Sequence, residues 1–369
     1  MIPILDTKAQ YQAIKTEIDA AVAAVIESGS FILGPNVKAL EQALAEYTAT
    51  RKAVGVASGT DALRLSLAAL GAGAGDEVIT TPFTFVASAN TISRAGATPV
   101  FVDIDPRTFN LDPDAVARAV TPRTKGIVVV HLYGQPAAMD DLQRIADQHG
   151  LWILEDCAQA IGARWRGTPV GALGVAGCYS FYPTKNLGAY GDGGLVATND
   201  LALGARVEQL RRHGGKDKYN VEVLGYNSRL DELQAAILGV KLRYLPAWTH
   251  ARQAVAQRYD ALLHDTPVTT PFVAPDAEHV YHQYTIRAPE RDALAAHLRD
   301  HGIGTMVYYP VPLHRQPLYA PLGLGPGAFP QAEAAAASVL SLPIFPELTA
   351  EQQTEIAGVI RGFYAAGGA

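Results

Sequence analysis

GIVVVHLYGQPAAMDDLQRIADQHGLWILEDCAQA, residues 126–160, is the stretch that decides the fold. It begins as an apolar, β-branched run and passes into MDDLQRIADQHG (139–150), whose apolar positions recur at helical spacing. It then returns to an apolar run in LWILED (151–156). Two continuous apolar runs joined by an amphipathic helix predict neighbouring parallel strands buried on both faces, since each crossover lays its helix against the sheet. Outward from this unit the rhythm repeats: AVGVA (53–57), EVITT (77–81) and TPVFVD (98–103) precede it, and GLVAT (194–198) follows. DALRLSLAAL (61–70) supplies a further crossover helix. The expected class is α/β, layered around a mainly parallel sheet that presents ligands at the carboxyl ends of its strands.

Beyond about Leu230 the pattern changes. DELQAAILGVKLRYL reads as helix up to Pro246, WTHARQAVAQRYDALL resumes it, and short strands (VYHQYTIR, GTMVYY) then mix with helices (RDALAAHLRDHG, LTAEQQTEIAGVIRGFY). PLGLGPGAFP (321–330) reads as a surface loop. The expectation is a large domain over 1–245, including N-terminal helices, and a smaller α+β domain over 246–369.

Composition narrows the partners. The 369 residues are 49% hydrophobic and 18% charged, and 30 basic against 36 acidic residues give a net charge of −6. With no basic block, neither nucleic acid nor an anionic membrane gains electrostatic support. Asp6 and Lys8 break the first eight residues and no run of about 18 apolar residues follows, so neither a signal peptide nor a spanning helix is expected, and the location predicted is cytoplasmic. Cys157 and Cys178, without a paired spacing, read as core packing rather than as a metal site.

Three stretches carry candidate chemistry. In CYSFYPTKNLGAYGDGG (178–194) an aromatic strand ends in a Pro-Thr-Lys turn and a glycine-rich loop, so Lys185 can be desolvated, lose its proton and attack a carbonyl. A solvated surface lysine is the plain alternative. In LWILEDCAQA, Asp156 falls at the carboxyl end of a strand, where a buried carboxylate can hold a proton on a heteroaromatic nitrogen or simply cap the next turn; Gln159 is within reach of the same ligand. In ASGTDALRLSL, Ser58 can cap a helix while Gly59, Thr60 and Asp61 aim amides at a phosphate. Phe85, in TPFTFVASAN, can pack in the core or stack on a planar ring. No dinucleotide fingerprint follows the first strand and no Walker A sequence occurs.

Taken together, SGTDAL, TPFTFVAS, LEDCAQAIGA, YSFYPTKNLGAYGDGG, GYNSRLDELQAAIL and VYYPVPLH resemble the DegT/DnrJ/EryC1/StrS sugar-nucleotide aminotransferases, within the fold type I pyridoxal-phosphate enzymes. The resemblance spans nearly the whole chain and implies a seven-stranded, mainly parallel sheet between helices. It also implies roles. Lys185 matches the Schiff-base lysine, Asp156 the pyridinium partner, Gln159 the neighbour of the ring hydroxyl and Phe85 the stacking aromatic. Gly59, Thr60, Asp61 and Ser180 match the residues around the pyridoxal 5'-phosphate phosphate. Asn227 matches an asparagine that reaches the phosphate from a neighbouring subunit, which implies a homodimer with shared sites. Arg229 and Tyr309 align with substrate positions. His314 could line the sugar pocket, a surface histidine being the alternative.

The implied reaction moves an amino group from L-glutamate to a keto-sugar nucleotide by ping-pong kinetics. ILGPNVKALE, HLYGQPAAMDDL, RRHGGKDKY, VYHQYTIR and VYYPVPLHRQP further resemble the branch acting on UDP-2-acetamido-2-deoxy-3-oxo-D-glucuronate for bacterial surface polysaccharide, including lipopolysaccharide. Arg212, His213, Lys216 and Lys218, with Arg229, could pair a hexuronate carboxylate or a diphosphate, or form a solvated loop. Amination of a dTDP-3-keto-6-deoxyhexose is the alternative within the enzyme class, and a cofactor- or sugar-binding regulatory protein the alternative outside it. Dehydrating relatives would carry histidine in place of Lys185.

Overall fold

A computed structural model describes residues 1–217 and 219–367. Its central sheet contains β1 (Lys52–Val56), β2 (Glu77–Thr80), β3 (Thr98–Phe101), β4 (Thr124–Val130), β5 (Trp152–Asp156), β6 (Ala176–Ser180) and β7 (Gly194–Thr198). Their order across the sheet is β1-β7-β6-β5-β4-β2-β3. All pairings are parallel except those of β7, which runs antiparallel to both β1 and β6. The mainly parallel α/β sheet expected from the apolar runs is therefore present. The strand–helix–strand unit of 126–156 is also found: β4 and β5 pair from Gly126↔Trp152 to Val130↔Asp156, with the helix Met139–His149 between them.

Both faces of the sheet are covered, which explains why the strands read as unbroken apolar runs. Leu154 on one face of β5 joins Val54, Val128, Cys178 and Val196 in a core under α1 (Gly59–Ala69). Ile153 on the other face joins Ile79, Ile127 and Leu142. Glu155 shares that second face and is buried, yet its carboxylate is fully engaged. It accepts from Gly171 N (2.7 Å), Leu173 N (2.9 Å) and Gly174 N (2.6 Å), and lies 3.0 Å from His131 Nε2. His131 Nδ1 in turn accepts from Ala137 N at 3.1 Å, so the ring carries its proton on Nε2 and donates to Glu155. Cys157 lies close enough to complete a potential His–Glu–Cys metal set, but the ring nitrogens and both carboxylate oxygens already have protein partners, which makes the cluster a brace for the 171–174 loop. Glu155→Leu is expected to cost about 3–5 kcal/mol, because four donors lose a buried acceptor at once; a urea midpoint unchanged from wild type would contradict the brace.

After β7 the chain forms α2 (Glu232–Leu242) and α3 (Leu245–Leu263), with Pro246 in the first turn of α3, where a missing amide is tolerated. A second core gathers Tyr259, Tyr284, Ile286, Leu294, Leu340, Ile356 and Ile360 around the two-stranded sheet β8 (Tyr284–Arg287) and β9 (Val339–Leu342). We propose these cores as the two units of the chain, 1–245 and 246–369, with Ile2 donated across the division to pair with Ile303. GTMVYY (304–309) is not the strand its composition suggested: only Met306 bridges, to Ser341, while the Tyr308 carbonyl accepts from the Tyr133 hydroxyl and the Tyr309 hydroxyl accepts from Gln159 Nε2. No described helix is long and apolar enough to cross a membrane.

Candidate active site

The carboxyl ends of β5 and β6 and the start of α1 meet at one place. Asp156 is the last residue of β5 and is 5% exposed. Its Oδ2 accepts from Ser88 Oγ at 2.7 Å and its Oδ1 from Ala158 N at 3.1 Å. Burial raises its pKa above the usual carboxylate range, against the opposing pull of those two hydrogen bonds and of Lys185. Such an anion, held by two neutral donors in a poor solvent, calls for a cation in front of it.

Lys185 sits in the turn that leaves β6. Burial pushes its ammonium from 10.5 down to about 8, with only the charge of Asp156 acting the other way. Among the described residues its amine makes no hydrogen bond or ion pair. The turn is tight, since a Cβ on Gly188 would stand 2.5 Å from the Pro183 carbonyl oxygen.

Ser58 caps α1 by accepting from Asp61 N at 3.1 Å. The Asp61 amide is engaged by the cap and its carboxylate faces Arg64 at 3.6 Å, so Gly59 and Thr60 present the free amides at the helix start. A Cβ on Gly59 would lie 2.6 Å from Ser180 Cβ. Only glycine lets the helix start approach Ser180 this closely, and the result is a small cradle of amides and a hydroxyl at the positive end of a helix, suited to a phosphate.

Gln159 links two further parts. Its Oε1 accepts from Tyr133 N at 2.7 Å and its Nε2 donates to Tyr309 Oη at 3.0 Å. Tyr133 is held in a left-handed conformation (φ 59°) and donates its hydroxyl to the Tyr308 carbonyl. Phe85 is 57% exposed, with its ring centroid 6.5 Å from that of Tyr309. An exposed phenylalanine beside a buried acid is poorly explained by core packing; a flat ligand over its face would cover it.

Among the described residues, the other candidates make no hydrogen bond or ion pair to Lys185, Asp156 or Gln159. Asn227 is exposed at the edge where Ser228 Oγ accepts from Ala57 N, and Arg229 is half-buried and makes no ion pair among the described residues. Of the basic loop, Arg212 is half-buried, His213 is exposed, and Lys216 is exposed and paired with Glu222 at 2.7 Å; Lys218 lies outside the described residues. His314 is not a surface residue: it is 1% exposed, its Nε2 is 3.0 Å from Glu333, and its Nδ1 is buried without a partner among the described residues. The reason is local, for Phe329 in the Pro-Gly segment turns inward and packs edge-on against the imidazole at 4.8 Å. Sequence reasoning missed Ser88 and Tyr133. Ser88 stands three residues after Phe85 in a stretch already singled out, but nothing in its spacing pairs it with an acid 68 residues away.

The residues present fit pyridoxal phosphate on the chemistry of the donors alone: a desolvated amine for its aldehyde, a buried carboxylate for its ring nitrogen, and a cradle for its phosphate. Comparison with known proteins agrees. The sequence profile of the DegT/DnrJ/EryC1/StrS aminotransferase family matches residues 12–361. The chain is 54% identical over 366 residues to a Geobacillus stearothermophilus protein named pleiotropic regulatory protein, covering 98% of each. It is 47% identical to the dTDP-3-amino-3,4,6-trideoxy-alpha-D-glucose transaminase of Streptomyces venezuelae, covering 98% of this chain and 95% of that one. It is 45% identical to the UDP-2-acetamido-2-deoxy-3-oxo-D-glucuronate aminotransferase of Pseudomonas aeruginosa, covering 94% and 96%. Among solved structures, S. venezuelae DesV in complex with a ketimine intermediate superposes with a TM-score of 0.96 at 47% identity, covering 98% of both chains. NtdA of Bacillus subtilis with its cofactor PMP superposes at 0.86 and 33% identity, covering 94% of this chain and 82% of that one. The chain belongs to the DegT/DnrJ/EryC1/StrS aminotransferase family and is a sugar aminotransferase whose cofactor is pyridoxal phosphate.

Proposed function

We propose that this enzyme moves the amino group of L-glutamate to the 3-keto carbon of a sugar nucleotide, UDP-2-acetamido-2-deoxy-3-oxo-D-glucuronate, for bacterial surface polysaccharide. The observation that carries the chemistry is the meeting of a desolvated Lys185 with the buried carboxylate of Asp156 at the open end of the sheet. Bound pyridoxal phosphate supplies an aldehyde carbon to receive the amino group and a ring to take up the electron pair left by a departing proton.

The remaining work falls to side chains. Lys185, with its pKa near 8, is available as a free amine to act as nucleophile and, once displaced, would carry a proton between the substrate carbon and the cofactor's aldehyde carbon. Asp156 keeps a proton on the ring nitrogen, its oxygens fixed by Ser88 and Ala158. The Gly59 and Thr60 amides and the Ser180 hydroxyl would hold the phosphate, with Asp61 acting through the cap; Phe85 would cover the ring, and Gln159, oriented by Tyr133, would serve the ring hydroxyl. Tyr309 and Arg229 contact the sugar nucleotide, and His314 backs the sugar pocket through its free Nδ1. Asn227, exposed in one chain, contributes to the phosphate site of a partner chain in a homodimer.

The P. aeruginosa relative and the motifs shared with its branch support the UDP-hexuronate, while the S. venezuelae relative supports a dTDP-3-keto-deoxyhexose as the competing acceptor. A panel of both with glutamate separates them. The hexuronate is expected to show a kcat/KM at least roughly tenfold higher, the discrimination given by one charge-assisted contact to its carboxylate; preference for the dTDP sugar would reverse the assignment. If sites are shared, mixing Lys185→Ala with an inactive Asn227 variant should regenerate activity through heterodimers. A mixture as inactive as its components would contradict a contribution of Asn227 across the dimer.

A further inference from the structure

The turn that carries Lys185 is tied to the small domain by a histidine that the chemistry above does not use. Asn186, next to Lys185, is 5% exposed; its Nδ2 donates to the Val280 carbonyl at 3.1 Å, and its Oδ1 lies 3.1 Å from His282 Nδ1. An amide oxygen only accepts, so His282 carries its proton on Nδ1 and donates it to Asn186, leaving Nε2 as a bare lone pair. The segment holding His282 is itself anchored. Val280 N donates to the Gly134 carbonyl at 3.0 Å, and Arg252 Nη1 donates to the Tyr281 carbonyl at 3.1 Å. Beneath the turn, His282 lines a cavity of about 60 Å³ together with Thr184, Arg252 and Gln283, large enough for several waters.

We propose that His282 is a positioning residue for the cofactor-bearing lysine: through Asn186 it clasps the 183–188 turn and keeps the Lys185 amine in its desolvated place beside Asp156. Without the clasp the turn can settle toward the cavity beneath it, where water rehydrates the amine. The charges around the pair are few. Asp156 faces Lys185, and Lys185, Arg252 and His279 face His282, which burial keeps neutral.

The inference rests on Lys185 being the cofactor-bearing amine, and its test is made on the cofactor-free protein so that the two can fail separately. Lys185 is acylated over a pH series and the modified peptide is quantified by mass spectrometry. In the wild type the midpoint is expected near 8. In His282→Leu it should rise by roughly one pH unit or more toward an ordinary lysine, as hydration returns. His282→Asn, which keeps a donor where Nδ1 stands, should hold the wild-type midpoint. In the loaded enzyme, His282→Leu should lower kcat with little change in KM, and His282→Asn should restore it. Asn186→Ala removes the acceptor from the other side and should shift the midpoint as His282→Leu does, which decides the matter if His282→Leu does not fold. A midpoint that stays near 8 in folded His282→Leu and Asn186→Ala would overturn the clasp.

Discussion

Lys185→Ala is expected to remove the visible absorbance of the bound cofactor and to lower kcat by roughly 10²–10⁴-fold or more, since the proton shuttle is lost together with the nucleophile. The size of the effect follows from desolvation. With its pKa near 8 rather than 10.5, the amine at pH 8 is about half in its free form. An ordinary lysine would be roughly two orders of magnitude less available at that pH. The sign of the pH dependence follows as well: capture of pyridoxal phosphate by the cofactor-free enzyme should be slow below the folded pKa, where the amine is protonated, and should rise through pH 8. A capture rate that instead rises only near pH 10 would mean that the amine is solvated. An alanine variant that keeps its colour and its turnover would remove Lys185 from the mechanism.

Asp156→Ala should still bind the cofactor, because the phosphate cradle at Gly59, Thr60 and Ser180 is untouched, but the half-reaction with glutamate should slow by roughly 10²–10³-fold. Among the described residues, Asp156 is the acid whose charge acts on Lys185, and it is the carboxylate at the end of β5 placed to compensate a protonated ring nitrogen. Asp156→Asn should behave nearly as badly, since it keeps the hydrogen-bonding shape but not the charge. Stopped-flow absorbance after mixing with glutamate reads this step without the sugar. A half-reaction at the wild-type rate in either variant would contradict the pairing of Asp156 with the ring nitrogen.

The central sheet was legible because burial on both faces leaves a plain mark: β4 and β5 are unbroken apolar runs, and the helix between them has one apolar side. The segments after the central sheet were harder to read. β9 is four residues long and pairs with β8 more than fifty residues earlier, so neither period nor turn chemistry announces it. GTMVYY has the composition of a strand, but Tyr308 and Tyr309 bond to Tyr133 and Gln159, contacts that spacing does not reveal. The candidate site divides in the same way. Lys185, Asp156 and Ser58 stood at strand ends, where the topology of an α/β sheet places ligands. Ser88 and His282 act on them from distant segments, and the inward turn of Phe329 that buries His314 depends on packing alone.

The most direct measurement is chemical trapping. Borohydride reduction of the purified holoenzyme, followed by digestion and mass spectrometry, fixes the cofactor to whichever amine holds it. The adduct is expected on Lys185 in stoichiometric yield and on no other lysine, Lys241 included, although that residue is buried and its pKa is lowered to about 8 as well. An adduct on a different residue, or none on the peptide containing position 185, would contradict the assignment of this turn as the reactive centre.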